Sequence, residues 1–583
     1  VETVNDTDFV LLMVRTVSLI SDSISIHSNA STSDQAYWCG SSVKHVAVDV
    51  LVIGSGAAGL SAAIEARRAK ATVLLITKSL VGRANCSAVA MGAFRVAQEP
   101  DVVQQHFQAT LEAGRFLNNP QLVQILVTKA QSAIQDINAL GVPLAKERAR
   151  TTIAKKRPAG IYLTKALATE ALRLGVEVLE RTMAISLHIQ ANRCLGIIAL
   201  STATGEFVSI SAKATILATG GYAQLYSRND NPPRITGDGL ALAFEAGAEL
   251  QDLEFVQFVP MFIDPGIPRI PMLDWLIEYT KQLVPKGPVL NSLGTPFLDT
   301  YGLLFKPILR DNLIVAIERE LSKDQMHMDY VLFDLTKCSQ KEIEECFELE
   351  YQKQVIHPLL DVLTSKRLRI ASGAHYTMGG LRIDTSCATS INGLYAAGEV
   401  TGGIHGANRL GGNALTEILV FGKLAGKCAT NYARQQKLVQ IDKGSATEAK
   451  ELIQRFREVK PKAIDASQVK TAIQATVSKY CRPIRSHQGL QQGMEMLQQI
   501  AEEKLPHVYA TNGRGLALAI EARSMLVLAR LMFIAALARR ESRGSHFRID
   551  YPICDEAHWR KTVVLSKKQE APEVRFVKIH EAM

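Results

Sequence analysis

The run Val48-Asp49-Val50-Leu51-Val52-Ile53 reads as a buried strand that ends on glycine. Ala57 to Lys70 follows with small residues on one face of a helical period, and Thr72–Thr77 is a second apolar run. Strand, helix, strand at this spacing predicts a parallel sheet with helices on its faces. Further on, the periodicity predicts helices over 101–140 and Leu163–Leu174, and strands at Val176–Leu179, Cys194–Leu200 and Ala214–Ala218. From about Arg234 the texture changes. Prolines cluster at 260, 265, 268, 271, 285 and 288, and helices are expected from Arg310 to about Glu348, which together read as an insertion. A glycine-rich block from Gly373 to Gly426, with a strand at Leu394–Ala397 and a helix at Ala414–Lys427, returns to the first sheet. Beyond 430 the pattern is helical to about Arg540, and the end reads as a small strand-and-loop unit.

At 583 residues the chain exceeds a single core, so two to four domains are expected. Its 39 glycines suit an α/β protein with many tight strand-to-helix turns. A net charge of +9 fits an anionic ligand, an acidic partner or nothing specific. With no basic stripe interleaved with aromatics, no zinc-finger spacing and no RNP-like run, nucleic-acid binding is not expected. None of the nine cysteines forms a C-x-x-C pair, which argues against a disulfide framework, a metal site or an iron–sulfur cluster held by this chain. Electrons that travel through iron–sulfur centres would need another subunit. No stretch reaches the roughly 18 apolar residues of a membrane span. Phe9–Ile20 is short and interrupted by Arg15, with no convincing cleavage site after it. The Ser/Thr-rich first 45 residues read as a poorly ordered extension or a misassigned start. A cytoplasmic protein, peripheral to a membrane only through partner subunits, is the expectation.

Gly54-Ser55-Gly56-Ala57-Ala58-Gly59 follows a strand and opens a helix. The first glycine of such a run makes the tight turn, the second lets backbone approach a pyrophosphate, and the third lets helix and strand pack closely. The helix N-terminus offers free N–H groups to the phosphate. The second strand ends in Thr77-Lys78-Ser79, hydroxyl and ammonium donors in place of the carboxylate that would meet a ribose in a nicotinamide site.

Four segments together resemble the succinate dehydrogenase/fumarate reductase flavoprotein family, which also includes L-aspartate oxidase. They are the glycine run, Ala218-Thr219-Gly220-Gly221 with Thr236-Gly237-Asp238-Gly239, His375-Tyr376-Thr377-Met378-Gly379-Gly380, and Ala396-Ala397-Gly398-Glu399 through Gly406-Ala407-Asn408-Arg409-Leu410-Gly411-Gly412-Asn413-Ala414-Leu415. Glu541-Ser542-Arg543-Gly544-Ser545-His546-Phe547 is similar to the family's C-terminal stretch. The resemblance covers about 45–565. It implies an α/β fold with a Rossmann-like, doubly wound FAD-binding domain (46–239 and 373–430) and an inserted α+β capping domain (240–372). A helical domain (431–542) and a small C-terminal domain (543–583) follow, with the extension at 1–45.

FAD is the implied cofactor. The implied binding residues are Gly54, Ser55, Gly56, Ala58, Gly59, Thr77, Lys78, Ser79, Ser87, Gly92, Ala218, Thr219, Gly220, Asp238, Glu399, Arg409, Asn413, Ala414 and Leu415. Glu399 resembles the family's carboxylate for ribose or ribityl hydroxyls, and Ala414 and Leu415 place backbone N–H groups against the flavin carbonyl. Asp238 resembles an acid near the FAD, with a turn aspartate in Gly-Asp-Gly as the alternative. Many relatives link FAD to a histidine where this chain has Cys86, ahead of Ser87-Ala88-Val89-Ala90-Met91-Gly92-Ala93, so non-covalent FAD is expected.

For the substrate, His375 and Arg409 match two of the family's carboxylate anchors. Elsewhere the chain departs. Val259-Pro260-Met261 stands where relatives carry His-Pro-Thr. An ungapped match to Thr-Glu-Gly-x-Arg-Gly-Glu-Gly-Gly puts the proton-handling arginine on Leu283, with Lys281, Lys286, Arg269 and Tyr279 as substitutes. The expectation is an FAD-dependent oxidoreductase acting on a small anionic substrate. Three alternatives stay open: an electron-transfer flavoprotein subunit without dicarboxylate chemistry, an L-aspartate oxidase-like enzyme, and an adenylylsulfate reductase-like enzyme, the last on Phe258-Val259-Pro260 and Asp264-Pro265-Gly266.

Overall fold

The computed structural model describes residues 44–97, 99–147, 150–154, 159–263, 289–303, 310–323, 328–337, 339, 367–441, 447–568 and 571–579. Residues 1–43 of the extension, Arg269, Tyr279, Lys281, Leu283, Lys286 and the Asp264-Pro265-Gly266 likeness lie outside the described residues, while Lys44 and His45 of the expected extension open the first strand.

The glycine run joins strand β1 (Lys44–Ile53) to helix α1 (Ala57–Arg68), which leads to β2 (Val73–Ile76). Helices α2 (Pro100–Ala113), α3 (Pro120–Ala139) and α4 (Gly160–Arg173) follow, then β3 (Glu177–Leu179), β4 (Thr182–Gln190), β5 (Arg193–Ser201) and β6 (Phe207–Leu217). The sheet runs β3-β2-β1-β6-β5-β4. Its β3-β2-β1-β6 half is parallel, and β6-β5-β4 is an antiparallel meander. Sequence periodicity missed β4, which is half-exposed and broken by two register shifts against β5.

Past α5 (Asp238–Glu245) and the short β7 (Leu250–Gln251), a second sheet is built from β8 (Val256–Phe262), β9 (Val289–Leu290), β10 (Val331–Asp334) and β11 (Arg367–Thr377). Its order is β8-β11-β10-β9, with α6 (Arg310–Lys323) packed on β8 and β11. The expected helices from Arg310 to Glu348 therefore need correction. Helix α6 ends at Lys323, Val331–Asp334 is a strand whose apolar residues alternate in burial, and 340–366 is outside the described residues. Strand β11 runs through the expected boundary at 372/373, so one ladder carries the chain from the insertion back to the first domain.

After β12 (Gly380–Leu381), β13 (Leu394–Ala396) joins β6 in parallel, and α7 (Asn413–Arg434) lies along α1. Small residues make that helix pair possible. A Cβ on Gly422 would sit 2.5 Å from the carbonyl oxygen of Ala58, and one on Gly426 2.3 Å from that of Ala62. The helical part contains α8 (Thr447–Arg457), α9 (Ala466–Tyr480), α10 (His487–Gln499) and α11 (Gly513–Ala538). The C-terminal hairpin, β14 (Lys561–Lys568) and β15 (Ala571–Lys578), completes a sheet of order β12-β7-β14-β15.

A buried carboxylate ties the helical part to the first domain. Glu521 on α11 is fully buried and meets Lys78 and Arg234 through Oε1 and Lys470 through Oε2, each at 3.1 Å. Burial alone would raise its pKa, but the three cations win and hold it down at about 2. Its ordinary value is 4.5, so the folded form gives up protons that the unfolded form keeps. The stabilisation, roughly 3 kcal/mol at 1.36 kcal/mol per unit, is complete above the unfolded pKa and is lost as pH falls through the folded one. Glu521→Ala is expected to cost about 3–5 kcal/mol in urea unfolding at pH 7, because three cations lose their shared partner. A variant melting like the parent would remove the node from the stability argument.

Candidate active site

The three glycines of the first turn meet three different surroundings. Gly54 has φ +111°, and a Cβ there would lie 2.2 Å from the carbonyl oxygen of Ala218. A Cβ on Gly59 would lie 1.9 Å from the carbonyl oxygen of Gly54. Around Gly56 there is space, its nearest neighbour being the Ser87 hydroxyl at 3.5 Å. Helix α1 has no side-chain cap, although its Ala57 N–H donates to Ser87 Oγ at 3.2 Å. Ser55 donates to Thr77 Oγ1 at 3.0 Å, fastening the turn to the end of β2. Opposite, the chain leaves β6 through Ala218, Thr219 and Gly220, the last at φ +77° with nothing nearer its missing Cβ than Ile235 at 3.8 Å. Thr219 Oγ1 is buried without a hydrogen-bond partner among the described residues.

Lys78 and Asp238 come together, but on each other. The Lys78 ammonium donates to Asp238 Oδ1 at 2.7 Å and to the Arg234 carbonyl at 2.7 Å, besides Glu521. Ser79 turns its hydroxyl onto the carbonyls of Leu80 and Arg83. Gly92, at φ +85°, backs onto Ala159 and Ile153.

The second uncapped helix start is that of α7, whose N-cap is Gly412 at φ +86°. Nothing caps the Ala414 and Leu415 end by side chain, and the Asn413 side chain turns inward to His106 and Thr110. Glu399 is buried and accepts from the Thr377 N–H at 3.0 Å and the Thr377 hydroxyl at 3.2 Å. Desolvation outweighs those bonds and the nearby Arg409, and pushes its pKa up to about 7.

Around the two expected substrate residues, His375 and Arg409, β11 carries one residue more than β8. Gln257 faces Tyr376 and Phe258 faces Ala374, so His375 is bulged out of the ladder. Its Nδ1 lies 2.7 Å from Oδ2 of Asp230, whose side chain is largely covered, and Asn231 donates to the His375 carbonyl at 2.9 Å. Arg409 is buried, with its guanidinium 4.7 Å from the centre of the Tyr376 ring. Gln257 links this arginine to another. Its Nε2 donates to the Arg409 carbonyl at 3.0 Å and to Asn408 Oδ1 at 2.8 Å, while its Oε1 accepts from Arg310 Nη1 at 3.0 Å. Sequence reasoning missed Arg310, Asp230 and Gln257. The available signal was an arginine opening the helix that follows the proline-rich insertion. Val259 and Met261 lie on the Gln257 side of β8, fully buried. Cys86 donates to Asn231 Oδ1 at 3.0 Å, and burial together with Glu399 and Asp230 pushes its thiol pKa well up.

These residues fit FAD. Two helix starts without an N-cap side chain, the space around Gly56 and a partnerless buried threonine hydroxyl supply amide and hydroxyl donors suited to a pyrophosphate and a flavin carbonyl. Comparison with known proteins agrees. Residues 49–415 match the family described as FAD binding domain, and residues 470–582 match the fumarate reductase flavoprotein C-terminal family. An uncharacterised FAD-dependent oxidoreductase of Methanocaldococcus jannaschii is 33% identical over 540 residues, covering 89% of this chain and 96% of that protein. A fumarate reductase (CoM/CoB) subunit of Methanothermobacter marburgensis is 32% identical over 552 residues, covering 90% of this chain and 97% of that protein. The structure of an E. coli quinol fumarate reductase variant superposes with TM-score 0.82 at 25% identity, covering 92% of this chain and 97% of that one.

The glycine surroundings separate binding from folding. Gly56→Ala is expected to leave the urea midpoint almost unchanged while weakening FAD at least about tenfold, as a methyl enters the space meant for phosphate. Gly59→Ala is expected to cost about 1–3 kcal/mol of stability by itself. Fluorescence titration of apoprotein beside an unfolding curve distinguishes them, and unchanged FAD affinity in Gly56→Ala would refute the cradle.

Proposed function

The chain belongs to the FAD-binding flavoprotein family of fumarate reductases and succinate dehydrogenases and is an FAD-dependent oxidoreductase; on that footing we propose that it reduces or forms a carbon–carbon double bond next to a carboxylate in a small anionic substrate. Bound FAD supplies the two-electron hydride donor or acceptor. The observation that carries the reading is Gln257, which bonds the Arg310 guanidinium and the main-chain carbonyl of the buried Arg409, with an aspartate-backed imidazole on the same strand pair.

Arg409 is held by its neighbours in a buried position, where a guanidinium grips a carboxylate most strongly. His375, with Nδ1 on Asp230, keeps Nε2 for a second contact to the same anion. Arg310 takes the proton-handling role that the ungapped match assigned to Leu283. Its positive charge draws electron density toward the carboxylate end, and a carbanion next to a carboxylate is basic enough to take a guanidinium proton. Val259 and Met261 supply no donor for a second carboxylate. The favoured substrate is therefore a 2-enoate with one carboxylate rather than a four-carbon dicarboxylate. The relative from Methanothermobacter marburgensis is named as part of a larger assembly, and an iron–sulfur partner is the source of electrons in this reading.

Photoreduced protein is expected to be reoxidised by crotonate at least about ten times faster than by fumarate, the discrimination that one lost polar contact provides. Arg310→Gln and Arg409→Ala are each expected to slow that reoxidation about 10²–10³-fold. If only a partner protein reoxidises the flavin, the chain is an electron-transfer subunit instead. FAD is also expected to stay in the supernatant after acid precipitation, because the Cys86 thiol is held protonated by burial and two carboxylates. Yellow colour in the washed pellet would contradict non-covalent binding.

A further inference from the structure

We infer that His106 is a positioning residue for the flavin: through Asn413 it fixes the start of α7, so that the amides of Ala414 and Leu415 are held ready and uncapped. The inference rests on the reading above that those amides meet the cofactor.

Three hydrogen bonds close a ring between α2 and α7. Thr110 Oγ1 donates to the His106 carbonyl one turn back, at 2.8 Å. Asn413 Nδ2 donates to Thr110 Oγ1 at 3.0 Å. Asn413 Oδ1 lies 2.7 Å from His106 Nε2. All three residues are buried, with exposures of 4%, 1% and 0% for His106, Thr110 and Asn413.

One proton assignment satisfies the ring. The threonine hydroxyl has a single proton and spends it on the His106 carbonyl, so it can only accept from Asn413. That turns the asparagine amide with its nitrogen toward Thr110 and its oxygen toward His106. Nε2 of the imidazole must then carry the hydrogen. Nδ1 is bare, buried and without a partner among the described residues, so the ring is neutral. Burial and the charge of Arg95 agree, holding the pKa at about 4.

The arrangement addresses a specific difficulty. A helix start that is to bind a ligand through its amides cannot carry a capping side chain, and Gly412 provides none. Something else must stop it fraying. The ring does so from the inner side, assisted by the Thr416 hydroxyl on the Arg95 carbonyl at 3.0 Å. No atom of the ring occupies the amides themselves. Fixed amides at the positive end of a 22-residue helix stabilise negative charge on a reduced ring without reorganising.

The test uses the full chain reconstituted with FAD. FAD affinity is read by fluorescence titration, and the flavin midpoint potential by photoreduction with a reference dye. His106→Phe and Thr110→Val break opposite arms of the ring. Both are expected to weaken FAD about tenfold, the effect of one buried hydrogen bond, and to make the midpoint potential more negative. His106→Gln, which can still donate to Asn413, should restore both. If His106→Phe does not fold, Thr110→Val decides. Wild-type affinity and potential in whichever of these variants folds would overturn the inference. Ala414→Pro removes one amide at a first-turn position that tolerates proline. An unchanged potential there means the amide reading itself has failed. A shifted potential there with none in His106→Phe or Thr110→Val means that only the positioning role has failed.

Discussion

Backbone approaching backbone, with no side chain between, is the constraint on which this molecule depends. Gly54 and Gly59 bring β1, α1 and the end of β6 into contact, and Gly422 and Gly426 bring α7 against α1. Any β-carbon at these positions would sit closer to a carbonyl oxygen than real atoms approach. The two helices so packed both begin at a glycine N-cap that carries no capping side chain. Main-chain donors suit phosphate and flavin oxygens because they offer directed N–H groups without the desolvation cost of full charges.

Charge in the interior is arranged by pairing. Glu521 gathers Lys78, Lys470 and Arg234 at the junction with the helical part. A second buried set joins the C-terminal unit to the middle of the chain, where Arg539 meets Glu254 at 2.6 Å and Glu541 at 3.0 Å. Both sets lie where separate segments must dock in a single register, and a fixed set of partners rejects displaced arrangements more sharply than apolar contact does. Gln257 follows the same logic, since its side chain accepts from Arg310 at the start of α6 and donates to the main-chain carbonyl of Arg409 just before α7.

Much of this was legible in the sequence where local spacing encodes it. The glycine turn, the small face of α1, the return strand at Leu394 and the helix after Gly412 are short-range patterns, and they fold as read. What was not legible depends on meetings between distant segments. Asp230 finds His375 across a bulge that no spacing announces. Lys78 and Asp238 lie 160 positions apart and meet at 2.7 Å, a pairing that neither local pattern shows. The bond from Arg310 to Gln257 joins positions 53 residues apart across the proline-rich stretch, and no local pattern shows it. Strand β10 escaped because Val331–Asp334 is too short to separate a strand from a turn of helix by periodicity.

The C-terminal hairpin has a bearing on how the chain is made. Strand β14 pairs with β7, Leu565 opposite Leu250, and Asp252 accepts from the Val563 N–H. The sheet is therefore closed by a strand far along the chain, Val563 lying 311 positions after Asp252. A nascent chain can assemble the glycine turn and its first helices early, but β7 waits with an unpaired edge until residues 561–568 clear the ribosome. Contacts this far apart in sequence form slowly and leave strand edges open to wrong partners meanwhile. Yield of this protein should thus depend on chaperone supply during synthesis more than its finished stability would suggest.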